Sequence, residues 1–276
     1  MSRVHITEPD LKKLQGIQLE LLQEVDRVCK QNNIKYCIIA GTLLGAVRHG
    51  GYIPWDDDAD VAMLREEYDK FVLACQRDLN HDLAYFQDID TTDGYRWGYG
   101  KIRRKNTTFL RLGQEHLTFE QGVFIDIFPL DYVPEKKIPR YFHNLHCTLV
   151  RKWMWSEVGR YTEKNPIKRM AYQLMARTPK TEVQRKYNAL KEKSNRVPTS
   201  RVRILTFPTP NNGQYCYFKK WYTDLAEIVF EGVSFPAAKD FDEYLSFKFG
   251  DYMMLPPESE RKVHPVSAYD FSVFDD

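Results

Sequence analysis

An α/β fold, a sheet backed by helices, is predicted for this 276-residue chain by three observations. Short apolar runs of strand character alternate with stretches of helical period. Acidic residues fall within or at the ends of two of those strands, in DDDAD (residues 56–60) and at Asp126. A hydrophobic content of 43% over this length can bury a substantial core, as one large domain or one domain with a helical insertion.

In chain order, residues 8–31 read as an amphipathic helix. Leu11, Leu14, Ile17, Leu21, Val25 and Val28 fall near the 3.6 period, and Pro9-Asp10 suits its start. A strand follows over residues 35–40, with Cys37 as core packing, then a Gly41-Thr42 turn and a short helix over 43–48. After the Gly50-Gly51 turn comes a second strand over 58–64, then a helix over 65–78 with Tyr68, Phe71, Val72 and Cys75 on one side. Aromatic-rich strands are expected at 84–87 and 95–103, and a further strand at 123–128. Residues 139–193 read as two or three helices, broken near Pro166 and Thr178-Pro179. There Tyr141, Leu145, Leu149, Val150, Trp153 and Met154 form an apolar stripe of the kind that is usually core. The flanking Arg151, Lys152 and Arg160, with Trp153 and Trp155, also suit a helix lying on a membrane surface. The expected organisation is a catalytic core over 1–132, a basic helical insertion over 133–205 and a segment over 206–276 that packs back on the core.

Charge is unevenly placed. Residues 136–203 hold 18 Lys and Arg against four Glu and no Asp, a net of +14, although the whole chain is only +2. Either a polyanion or an anionic membrane surface is the partner, or the basic face pairs with the acidic remainder. Five cysteines (Cys29, Cys37, Cys75, Cys147, Cys216) lack disulfide-framework spacing and point to a reducing compartment. With no apolar leader and no 18-residue apolar run, the expected location is the cytoplasm, peripheral to a membrane at most.

The chemistry centres on AGTLLGAVRHGGYIPWDDDADVAM (residues 40–63). Residues two apart in a strand share a face, so Asp58 and Asp60 project together. Two such carboxylates repel unless a cation lies between them, and Mg²⁺ accepts carboxylate oxygens together with substrate phosphates. The small-residue turn at Gly41-Thr42 leaves backbone N–H groups able to approach phosphate. In GVFIDIFPLD, Asp126 is the lone charge of an apolar strand and demands a partner, either a metal or a salt bridge to Arg103 or Arg104. Asp56, Asp57 and Asp131 read as turn or capping residues. Lys101 and Arg103 share a strand face, and Arg48 follows the turn, so these three are candidates for binding phosphate. Arg104 and Lys105 read as solvated. His143, His146 and Cys147 have metal-like spacing without a clear fourth ligand. Tyr95, Trp97 and Tyr99 alternate ahead of Lys101, and Trp55 adjoins the acidic strand. Aromatic faces of this kind can cage a quaternary ammonium.

The order of these motifs resembles a known family. An apolar-Gly-Thr turn followed by Asp-Ala-Asp-Val resembles the nucleotidyltransferase-fold signature, and GTLLGAVRHGGYIPWDDDADV is similar to the LicD family of phosphocholine transferases, related to fukutin and fukutin-related protein. KIRRKNTTF (101–109), GVFIDIFPLD (122–131) and FGDYMMLPP (249–257) followed by His264 also match that family. The resemblance implies a nucleotidyltransferase-like mixed sheet and catalytic metal ligands Asp58, Asp60 and Asp126. It implies Mg²⁺ (or Mn²⁺) as cofactor and places His264 near the leaving nucleotide. By the same resemblance, phosphocholine moves from CDP-choline to a sugar hydroxyl of a glycan precursor of the teichoic acid or lipopolysaccharide type, with release of CMP. That precursor would be lipid-linked. Transfer of ribitol phosphate, glycerol phosphate or a nucleotidyl group, and non-catalytic polyanion binding, are the alternatives. No nucleic-acid-reading motif is present, and nucleic acid is not expected as a partner.

Overall fold

The computed structural model describes residues 3–210 and 213–274. The chain opens with α1 (Glu8–Gln31), where Thr7 Oγ1 accepts from the Asp10 N–H at 3.3 Å and caps the first turn. Leu14, Leu21, Leu22, Val25 and Val28 give α1 a fully buried stripe. Next come β1 (Cys37–Ile38), α2 (Ala40–His49), β2 (Asp60–Leu64), α3 (Arg65–Asp78), β3 (Ala84–Gln87), β4 (Gly100–Arg104), β5 (Thr108–Arg111) and β6 (Phe124–Tyr132). Three helices follow, α4 (Lys137–Thr162), α5 (Pro166–Ala176) and α6 (Lys180–Asn195). The chain continues through β7 (Arg201–Arg203), β8 (Tyr217–Phe218), β9 (Leu225–Phe230), β10 (Val233–Ala238), α7 (Phe241–Phe249) and β11 (Val266–Asp270).

The central sheet runs β1-β2-β6-β4-β3, and β7 extends it by pairing with the end of β6. It is mixed: β2 and β6 are parallel, while β1–β2, β6–β4 and β4–β3 are antiparallel. Separate ribbons are made by β9 with β10 and by β5 with β11. Every residue of β6 is buried, as expected for a central strand covered on both faces.

Several boundaries differ from the sequence expectation for physical reasons. The first strand stops at Ile38, because Ala40 takes a positive φ of 51° and turns the chain into α2. Gly41 and Thr42 therefore belong to the first turn of α2 rather than to a loop. Tyr95, Trp97 and Tyr99 precede β4 and do not form a strand. Arg96 in that stretch is drawn to Glu157 of α4 (3.1 Å), and Gly98 lies so close to Tyr187 and Thr206 that a Cβ would meet them at 2.7–2.8 Å.

The stripe on α4 divides. Val150 and Met154 join Cys147 in a small core with Val183, Tyr187 and Leu190 of α6, with Trp153 packed on its edge. Tyr141, Leu145 and Leu149 are exposed instead. His143 is bonded within the insertion, with Nε2 at 2.8 Å from Ser194 Oγ. Arg104, expected to be solvated, holds Glu20 of α1 at 2.8 Å.

Asp131, expected as a turn residue, is fully buried at the far end of β6. Arg65 holds both of its oxygens at 2.8 and 2.9 Å, and Asn195 Nδ2 donates to it at 2.6 Å. This pair joins the start of α3 and the insertion to the central strand. Removing one partner strands a buried charge, so Arg65→Met should lower unfolding free energy by about 3–5 kcal/mol, measured by urea denaturation. Arg65→Lys, which keeps the charge but loses the two-pronged contact, should cost less.

Candidate active site

The parallel pairing of β2 with β6 sets Asp60 directly opposite Asp126. The antiparallel pairing of β6 with β4 sets Lys101 opposite Asp126 on its other side. Paired residues on neighbouring strands share a sheet face, so Asp60, Asp126 and Lys101 form one row. Lys101 Nζ donates to Asp126 Oδ1 and lies 3.3 Å from the centroid of the Phe124 ring. Lys101, rather than Arg103 or Arg104, is thus the salt-bridge partner of Asp126. Burial pushes the Lys101 ammonium down to about 8, against the pull of Asp126 in the other direction.

Just before β2, half-buried Asp56, Asp58 and Asp60 alternate with buried Asp57 and Ala59. Burial raises the Asp60 carboxyl well above the usual range, and the charges of Asp58, Asp126 and Asp56 raise it further. Asp56 is pushed up to about 8 by burial and by Asp58 and Asp57. Asp58 is also raised, chiefly by burial, with Arg111 and His264 opposing. Asp56, Asp58 and Asp60, all raised chiefly by burial, stand with Asp126 as an oxygen donor set suited to a hard divalent cation. Asp56 was expected to shape a turn, yet it shares this field. Its spacing of two and four residues from Asp58 and Asp60 was the signal available.

Asp57 does something else. Its Oδ1 lies 2.7 Å from His264 Nδ1, and Arg111 pairs with its Oδ2. Burial alone would lift the Asp57 carboxyl, but His264 and Arg111 outweigh it and hold it below the usual carboxylate range. The hydrogen bond that Asp57 accepts in turn raises the His264 imidazole against burial and Arg111. Asp58 Oδ2 lies 3.6 Å from His264 Nδ1 and 3.7 Å from Arg111 Nη2. Among the described residues, Asp57, Asp58 and His264 are the group whose ligand atoms all lie within 4.8 Å of one another. The expected trio of Asp58, Asp60 and Asp126 is linked by sheet register and mutual field but does not converge that closely.

Other elements fix this edge. Gln18 of α1 donates to the Asp57 carbonyl at 3.0 Å and the Phe124 carbonyl at 3.2 Å, and Gln15 donates to the Asp56 carbonyl at 2.9 Å. Thr42 Oγ1 accepts from the Asp60 N–H at 2.8 Å. At position 41 a Cβ would stand 2.7 Å from Asp56 Oδ2, so glycine lets that carboxylate approach the start of α2. The left-handed Ala40 donates its N–H to the Tyr244 hydroxyl at 3.2 Å. Gly41 and Thr42, predicted to bind phosphate, thus contact the acidic edge directly.

The predicted cations separate. Lys101 stands in the row with Asp60 and Asp126. The Arg103 guanidinium is buried on Gln87 Oε1 (2.6 Å) and the Gly122 carbonyl (2.7 Å). Arg48 donates to the Tyr252 carbonyl at 2.8 Å and so fastens the C-terminal segment. Arg111 and Lys248 were not predicted. Lys248 lies on α7, where its charge lowers the Asp60 carboxyl. The aromatics separate too. Tyr95 is buried, donates to the Tyr99 carbonyl at 3.0 Å and packs on Trp97 and Phe119. Tyr99 lies against Phe128 and 5.5 Å from Lys101 Nζ. The ring contacts of Trp55 are with His49 and the Arg261 guanidinium, away from the other three.

A mixed sheet carrying acidic residues on neighbouring strands beside a helix start has the form of a nucleotidyltransferase domain. Residues 33–146 match the family described as LicD/FKTN/FKRP, nucleotidyltransferase domain. Asp56, Asp58, Asp60, Lys101, Arg111 and Asp126 all fall within that match, whereas Lys248 and His264 lie beyond it. The chain is 28% identical over 271 residues to lipopolysaccharide cholinephosphotransferase LicD of Haemophilus influenzae, covering 93% of this chain and 96% of that protein. An uncharacterised protein of Rickettsia prowazekii is 28% identical over 148 residues, 54% of this chain and 50% of its own length.

Because Asp60 and Asp126 repel, replacing Asp60 by Asn should raise the metal-free melting temperature, by roughly 2–4 °C per kcal/mol of repulsion relieved. Millimolar Mn²⁺ is expected to stabilise the wild type, and the same variant should lose most of that gain. Thermal melts with and without Mn²⁺ read both effects, and an unchanged Mn²⁺ shift would remove Asp60 from the ligand set.

Proposed function

We propose that this protein is a metal-dependent transferase that moves phosphocholine from CDP-choline to a sugar hydroxyl of a cell-surface glycan precursor, releasing CMP. The row of Asp60, Asp126 and Lys101 across three strands carries this reading. Similarity to the Haemophilus cholinephosphotransferase along nearly the whole chain supports the choice of donor and of a lipopolysaccharide-type acceptor. Teichoic acid precursors present the same chemistry.

Asp58, Asp60 and Asp126, with Asp56 beside them, would hold Mg²⁺ or Mn²⁺. The bound ion would neutralise charge on the phosphoryl oxygens and keep attacking and leaving oxygens in line. Lys101 occupies Asp126 Oδ1 and orients that carboxylate. While Asp58 and Asp60 would hold the ion, Asp126 Oδ2 accepts the proton of the acceptor hydroxyl as its oxygen bonds to the choline-bearing phosphorus. The bond from that phosphorus to CMP breaks, and its electron pair leaves on the CMP phosphate. Arg111 and His264, beside Asp58, and Lys248, near Asp60, supply positive charge for the departing group.

Acceptor delivery is assigned to an anionic membrane surface. Among the described residues no helix is long and apolar enough to cross a membrane. On α4, Ile138 and Phe142 are 73% and 63% exposed, and Leu145 and Leu149 continue their stripe. On α5, Ile167 and Met170 are 73% and 58% exposed, with Leu174 one turn on. Lys168 and Arg169 adjoin this stripe, and α5 buries none of its residues. Only part of the basic charge is answered by the core: Lys180 approaches Asp93 at 3.6 Å and Lys191 approaches Asp90 at 4.0 Å.

CMP release from CDP-choline, measured with Mg²⁺ and a membrane extract as acceptor source, should fall about 10²–10⁴-fold in Asp126→Asn. Release from CDP-ribitol or CDP-glycerol in place of CDP-choline would retain the phosphoryl transfer and discard choline. Vesicles containing phosphatidylglycerol should sediment the wild type. Phe142→Ser, Leu149→Ser and Met170→Ser together should weaken that binding at least about tenfold, since each buried apolar side chain contributes roughly 1.5 kcal/mol or more. Equal sedimentation of this variant with unchanged helical circular dichroism would reject the surface.

A further inference from the structure

A cavity of about 300 Å³ lies between the helical insertion and the core, lined in part by Trp97, Tyr99, Arg151, Lys152, Trp155 and Phe207. Tyr99 joins it to the catalytic row. Its ring stands 5.5 Å from Lys101 Nζ, and its hydroxyl lies in the fields of Asp126 and Asp60. The lining combines flat aromatic faces with two cations and includes no Asp or Glu. Arg151 is half-buried, and its electrostatic neighbours are Arg203, Tyr172 and Cys147, none of them a carboxylate. A guanidinium removed from water without a carboxylate calls for an anion, and phosphate matches its forked donors. The same two cations repel a quaternary ammonium, so this cavity is a poor site for choline although Trp97 and Tyr99 line it.

We propose that this cavity is the acceptor subsite and takes a sugar bearing a phosphate group. Arg151 and Lys152 hold the phosphate, and Trp155 and Tyr99 cover the faces of the ring. The assignment rests on the phosphotransferase reading of the neighbouring carboxylates, because it sets the acceptor hydroxyl toward Asp126. A nucleotide would offer phosphate as well. However, α4 and α5, which carry Arg151, Lys152, Trp155 and Tyr172, also carry the exposed apolar stripes. An acceptor anchored in lipid therefore arrives from this side.

Tryptophan fluorescence titration with glucose 6-phosphate, glucose and CMP tests the proposal. Glucose 6-phosphate should bind at least about tenfold more tightly than glucose, as expected for a charge-assisted contact. Arg151→Ala should abolish that preference, Arg151→Lys should restore part of it, and both variants should bind CMP as the wild type does. Trp155→Ala should weaken both sugars. Equal binding of the two sugars, no binding of glucose 6-phosphate, or loss of CMP affinity in Arg151→Ala would each overturn it, the last by making the cavity a nucleotide site. The donor reading is checked separately. Phosphate-selective sugar binding without CMP release from CDP-choline would retain the subsite and reject the donor.

Discussion

Mutual repulsion among carboxylates is the constraint around which this protein is arranged. Asp56, Asp58 and Asp60 share one side of an extended segment, and the parallel pairing of β2 with β6 brings Asp126 level with Asp60. Left to itself, such a set would splay apart or take up protons. Instead the sheet fixes two members through backbone hydrogen bonds that do not depend on charge, and Lys101 from the third strand offsets part of the excess. The unfavourable field that remains is of the kind a divalent cation would relieve.

The surrounding structure holds that edge in place. Gln15 and Gln18 grip the backbone of the acidic segment from α1, Thr42 caps the start of β2, and Arg111 with His264 secures Asp57 from the opposite side. At the other end of the same two strands, the Arg65–Asp131 pair ties the sheet to α3 and α6. A charge cluster therefore lies near each end of the β2–β6 pair. One is closed by its own salt bridge, and the other carries an excess of negative charge.

Much of this was legible in sequence where local pattern decides. Helical period and the breaks near Pro166 and Pro179 gave two or three helices over residues 139–193, and the structure has three with breaks at those places. The isolation of Asp126 in an apolar strand gave its need for a partner. What was hidden depends on contacts distant in sequence. Nothing local in TTFLR marks Arg111 as the partner of Asp57, and nothing in the α7 sequence marks Lys248 as lying near Asp60. Strand ends were misjudged where tertiary packing prevailed, as at Tyr95 and Trp97, which Arg96 and Gly98 draw toward the insertion. The apolar stripe of α4 shows the same limit. Periodicity put Leu145 and Val150 in one set, but only the packing of α6 separates the buried residue from the exposed one.

The hydrogen bond between Asp57 and His264 spans 207 residues of chain. Closing so long a loop has an entropic cost that grows with its length, and contacts of this kind form only after local structure has brought the chain together. The helices and the neighbouring strand pairs can assemble first, whereas the β5–β11 ribbon that brings His264 to the acidic segment comes late. Until it docks, the carboxylate cluster faces water without its histidine clasp.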